Sequence, residues 1–103
     1  MNTATDSFFV QVFAPASDAL FSIETAARLA GTTRHIVLVS YRRGLVRPHR
    51  DPDYGGLYFD MDAIRTLQRI EYLRTACGIN LTGIELILKL VAEVEELRAL
   101  TRR

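Results

Sequence analysis

Between Thr25 and Arg50 the chain carries six arginines and two histidines and no aspartate or glutamate. Arg28, Arg34, Arg42, Arg43, Arg47 and Arg50, with His35 and His49, would give a basic face of the kind that neutralises nucleic-acid phosphates. The same composition also suits a surface that meets an acidic protein. The net charge is only +1 because acids gather elsewhere, at Asp51, Asp53, Asp60, Asp62 and the Glu93/Glu95/Glu96 cluster. No catalytic constellation is evident. Asp60 and Asp62 form a carboxylate pair, but their place before an apolar periodic run points to capping and dipole stabilisation rather than acid/base work. His35 and His49 have no carboxylate or cysteine at ligand spacing, and Gly55-Gly56 is a lone turn dipeptide with no phosphate-loop context. The chain is expected to be no enzyme and to need no metal, cofactor or small-molecule ligand.

The elements that position these side chains can be read from caps and periodicity. Ser22 is placed as an N-cap before Ile23, Ala26, Ala27 and Ala30, and Gly31 as the C-cap. Thr32-Thr33 supplies a second N-cap within two residues, so a second helix from Arg34 to Arg43, ending at Gly44, must turn sharply from the first. That pair reads as a helix-turn-helix. Leu45–Pro48 and Gly56–Phe59 then flank a loop rich in Pro, Asp and Gly, which predicts a two-stranded wing. Asp60 caps a third helix from Met61 to about Cys77, with Ile64, Leu67, Ile70 and Leu73 turned to the core. Asn80 caps a last helix, Leu81 to roughly Thr101. Its first half is apolar over a wide arc through Leu81, Ile84, Ile87, Leu88 and Val91. Its second half narrows to a seam of Ile87, Leu90, Val94 and Leu97, which suits an antiparallel homodimer. The competing reading folds this helix back onto the chain's own N-terminal segment.

These readings predict a mostly α protein, a winged helix-turn-helix with a C-terminal helix. Its parts are an N-terminal extension over 1–20, the winged domain over 21–77 and the last helix over 78–103. With 103 residues and 49% apolar content, the chain is sized for one small domain. No apolar stretch reaches the roughly 20 residues of a membrane span. Met1 to Val10 lacks the basic start of a secretory signal. The single cysteine, Cys77, is read as a small buried residue on a helix face, and a reducing cytoplasm fits it. In the extension, Phe8–Phe13 is a β-prone apolar run closed by Ala14-Pro15. It needs cover, either along the wing or across the helices.

Four blocks carry a family resemblance. They are Phe21–Gly31, Gly44-Leu-Val-Arg-Pro48, Gly56-Leu-Tyr-Phe-Asp60 and Gly78-Ile-Asn-Leu-Thr-Gly-Ile-Glu-Leu-Ile-Leu88. Together, over about Leu20 to Arg98, they resemble the MerR-type winged-helix superfamily. The last block is shared by two branches. Heat-shock repressor (HspR-like) proteins bind operator DNA as dimers. Chaperone-modulator (CbpM-like) proteins bind and restrain the J-domain of a DnaJ-type co-chaperone. Where DNA-binding relatives carry a pattern close to Leu-Arg-Tyr-Tyr-Glu in the second helix, this chain has Val37, Leu38, Val39, Ser40 and Tyr41. With Val37, Ser40 and Tyr41 inward, Leu38 and Val39 would stand outward beside Arg34, His35 and Arg42. Aliphatics cannot read base edges beyond a thymine methyl, whereas aliphatics among arginines suit a protein interface. The other reading buries Leu38 or Val39 under Phe8–Phe13.

The resemblance therefore implies a chaperone modulator whose partner surface is Arg34, Leu38, Val39, Arg42, Arg47 and Arg50. The short chain leaves no room for an effector domain, in keeping with that branch. The alternative is a double-stranded-DNA-binding regulator using Thr33, Arg34, His35, Arg42, Arg43, Arg47 and Arg50.

Overall fold

The computed structural model describes residues 19–102; the Phe8–Phe13 segment lies outside them. The element order is β1 (Phe21–Ser22), α1 (Ile23–Ala30), α2 (Arg34–Arg42), β2 (His49–Arg50), β3 (Leu57–Phe59), α3 (Met61–Thr75) and α4 (Leu81–Thr101). Each helix starts where a side-chain oxygen can take an orphan N–H. Ser22 Oγ accepts from Thr25 N, Thr33 Oγ1 from Ile36 N, an Asp60 carboxylate oxygen from Ala63 N, and Asn80 Oδ1 from Gly83 N. Gly31 and Gly44 stop the first two helices in the left-handed region, at φ 72° and 75°. The residues after them return N–H bonds to the Ala27 and Ser40 carbonyls at 2.9 Å. These closures free only two or three residues of turn, so α1 and α2 remain packed on each other while α1 also packs on α3.

The wing differs from the sequence reading. Leu45–Pro48 is a connector rather than a strand, because Val46 turns inward to 4% exposure and Pro48 has no N–H for a ladder. The pairing strand is His49–Arg50, matched to Tyr58 and Leu57 of β3. On the other side of β3, Phe21 and Ser22 pair with Phe59 and Tyr58, making a three-stranded antiparallel sheet of order β1-β3-β2. This third strand was missed because two residues ahead of a helix cap show no alternation. It ties the helix-turn-helix to the wing through Phe59, which is fully buried.

The core gathers Ala26, Ala27 and Ala30 of α1 and Ile36 and Val37 of α2. Val46, Phe59, Ala63, Ile64, Leu67, Ile70 and Ile84 complete it. The three alanines let α2 and α3 approach α1 closely. From α4 only Ile84 is fully buried, with Leu81 and Leu88 packed at the edge. The wide apolar arc expected there is therefore mostly half-covered. Helix α3 ends at Thr75, earlier than expected, and Cys77 is exposed rather than buried, because the chain has already left the helix. Gly83 has a packing cause. A Cβ there would stand 2.8 Å from Ile79 Cγ2, so Ile79 can close over the start of α4 only if residue 83 is glycine. Among the described residues, no helix is long and apolar enough to cross a membrane.

Candidate recognition surface

Helix α2 presents its inner face through Ile36, Val37 and Ser40, all buried. Tyr41 packs at the core's margin. Arg34, His35, Arg42 and Arg43 are exposed, and between them Leu38 and Val39 are half-buried. Leu38 stands in a cleft of about 300 Å³ between α2 and the wing, lined also by Ser22, Ile23, Glu24, Arg34, Leu57 and Tyr58. It is thus neither core nor bare, and it lies where α2 meets the sheet.

The basic stretch is free of acids in sequence but not in space. Arg34 forms an ion pair with Glu24 of α1, both side chains well exposed. Arg43 donates to Glu85 of α4 at 3.2 Å and to Thr82 Oγ1 at 3.4 Å. His49 passes over the nearby Asp51 and meets Asp60 Oδ2 at 3.1 Å. Arg50 is held across the wing, donating to the Gly55 carbonyl and the Tyr41 hydroxyl, each at 3.3 Å. Arg28, His35, Arg42 and Arg47 have no acidic partner within salt-bridge distance among the described residues. Arg47 lines a separate cavity of about 210 Å³ with Leu45, Val46, Asp60 and Asp62, beside the start of α3 rather than in the Leu38 cleft. Thr33, a candidate phosphate contact, already uses its hydroxyl oxygen as the N-cap of α2.

The compensating acids of the wing lie in its own turn. Asp51 Oδ1 accepts from Asp53 N at 2.8 Å and Tyr54 N at 3.1 Å, folding the loop and leaving Asp53 and Tyr54 outward. The Asp60 carboxyl is held below its ordinary range. The Ala63 N–H holds its pKa low, helped by His49, against a smaller opposing effect of burial. No group of three or more His, Cys, Asp or Glu among the described residues could hold a metal ion.

Sequence reasoning picked out the arginines but missed Glu24 and Glu85, the residues that meet two of them. Ten residues separate Glu24 from Arg34 and 42 separate Glu85 from Arg43, so no local spacing announces either pair.

A search of curated proteins finds no match to this chain. A family model described as MerR HTH family regulatory protein matches residues 21–90, from β1 through the first half of α4. That span includes both helices of the turn, the three-stranded wing sheet and the helix beneath them, and the chain belongs to the MerR HTH family of regulatory proteins.

Proposed function

We propose that this regulator acts by occluding a protein partner through the face that a winged helix turns toward DNA. The partner class we assign is the J-domain of a DnaJ-type co-chaperone, as in the chaperone-modulator branch it resembles. One observation carries the reading. The middle of the outward face of α2 is Leu38 and Val39, half-buried aliphatics, where base or phosphate contact needs polar donors. The surroundings agree. Arg34 at the start of α2 and Arg43 at its C-cap meet carboxylates of the same chain, and the wing turn presents Asp53 rather than a cation. A protein partner can bury Leu38 and Val39 at a desolvated centre with the arginines as rim. The role is regulatory and binding rather than catalytic.

The DNA reading keeps one specific support, the five basic residues of the acid-free stretch, Arg28, His35, Arg42, Arg47 and Arg50, that have no acidic partner among the described residues. Titration of duplex DNA at two salt concentrations separates the two. Weak binding without sequence preference at physiological salt is the expected result. Tight, sequence-selective binding at that salt would sink the protein-partner reading.

Assembly is proposed to run through α4. Ile87 of the expected seam is half-buried, whereas Leu86, Leu90, Val94 and Leu97 are 57%, 51%, 45% and 61% exposed. At 3.6 residues per turn they fall within roughly 80° of one another, on the side away from Ile84 and Leu88. The partner is a second copy laid antiparallel.

A further inference from the structure

Each end of α2 carries an arginine that a neighbouring helix meets with a glutamate: Glu24 from α1 at the first turn, Glu85 from α4 at the C-cap. Neither pair closes a gap in the core, since all four side chains keep 38% or more of their surface exposed. Exposed pairs of this kind add little to stability. Their position is what counts. They sit at the two ends of the helix that would enter a groove, where a phosphate would have to approach. The wing turn adds Asp53 on the same module.

We propose that Glu24 and Glu85 are specificity-determining residues that exclude polyanions, holding Arg34 and Arg43 away from phosphate and repelling it. This rests on the reading of the α2 face as a protein-binding surface and explains how a basic winged helix could be kept off the nucleic acid around it. A phosphate approaching Arg34 must compete with a carboxylate already in place and meets that carboxylate's repulsion. A partner that docks by shape on Leu38 and Val39 tolerates both, because the ion pairs can stay intact at its rim.

The test uses the full chain and a random-sequence DNA duplex, with affinity measured by fluorescence anisotropy across a salt series. Glu24→Gln/Glu85→Gln is compared with wild type and with Glu93→Gln/Glu96→Gln, which makes the same change in net charge on the exposed second half of α4. Each glutamate removed at α2 should free one arginine for one phosphate. The slope of log affinity against log salt should then steepen by about 0.9 per site, with affinity up about tenfold at low salt. The α4 pair should leave the slope unchanged. Equal gains in both double variants would reduce the effect to net charge, and an unchanged slope in the Glu24/Glu85 variant would remove the filter altogether; either overturns the proposal. The single variants Glu24→Gln and Glu85→Gln, each expected to give half the change, carry the test if the double variant melts early. Tight, sequence-selective binding by wild type would instead contradict the protein-partner reading, so the two failures are told apart.

Discussion

The outer face of α2 and the second half of α4 both leave aliphatic side chains accessible, but in different settings. Leu38 and Val39 are half-buried, Leu38 set between helix and wing, and bordered by arginines and ion pairs whose partners come from α1 and α4. Leu90, Val94 and Leu97 have no such surroundings; they run along one helix that has already passed the core. A small aliphatic patch inside a fixed charge border can discriminate among partners, because a wrong approach leaves charges unpaired. A bare stripe at 3-4 spacing has only shape and hydrophobicity to offer, which suits a second helix of the same kind. The proposed recognition surface and the proposed assembly surface are therefore separable, and substitutions should act on one without the other.

The largest effect should come from the stripe. Val94→Asp places a carboxylate where the antiparallel mate would bury it, and should weaken the dimer by on the order of 3 kcal/mol, roughly a hundredfold in dissociation constant. Sedimentation should show monomer, with the helical content of each chain retained because Val94 is already 45% exposed within one chain. A wild type that stays monomeric at high concentration would remove α4 as an assembly surface.

On α2, the inner face offers a smaller and opposite change. Ser40 is fully buried and its Oγ has no hydrogen-bond partner among the described residues, so within them the hydroxyl is desolvated without return. Ser40→Ala should raise stability by about 1 kcal/mol, seen as a melting temperature higher by about 5 °C, with binding at the outer face unchanged. A loss of stability would mean that the hydroxyl has a partner after all.

Asp60 gives a comparable effect of ordinary sign. Removing the cap of α3 by Asp60→Ala should cost about 1 kcal/mol at neutral pH. Because the folded pKa is lowered, its contribution is present above the ordinary carboxylate range and disappears as pH falls through the folded value. The difference in melting temperature between wild type and Asp60→Ala should shrink on acidification below about pH 4. A constant difference would assign the cost to packing instead.

The smallest effect is expected at Arg47, which lies beside Asp60 and Asp62 and outside the Leu38 cleft. Arg47→Ala should slow association with a protein partner slightly and change little else, as stopped-flow mixing would show. A large loss in duplex binding from the same change would favour the DNA reading.

What the sequence made legible was local. All four helix starts followed from Ser22, Thr33, Asp60 and Asn80, because a cap is a contact over three residues. The inward run Ile64, Leu67 and Ile70 followed from periodicity. The failures involved distance or length. The Phe21–Phe59 pairing joins residues 38 apart through a two-residue strand, too short to alternate. The first wing strand was placed four residues early because Leu45 and Val46 look strand-like, when their apolar character serves the core. Cys77 is exposed because its helix ends two residues before it, a boundary that periodicity does not mark. The arginines were visible from composition, yet their electrostatic meaning depended on Glu24 and Glu85, which only folding brings near.

Leu38 tests the central claim most directly. Calorimetric titration of a J-domain into wild type and Leu38→Asp, with melting curves of both, reads binding and folding together. The expected result is one-to-one binding by wild type, none detectable by Leu38→Asp, and closely similar melting temperatures. Binding that survives Leu38→Asp, or a variant that unfolds because Leu38 belongs to the core, would contradict a recognition surface built on the outer face of α2.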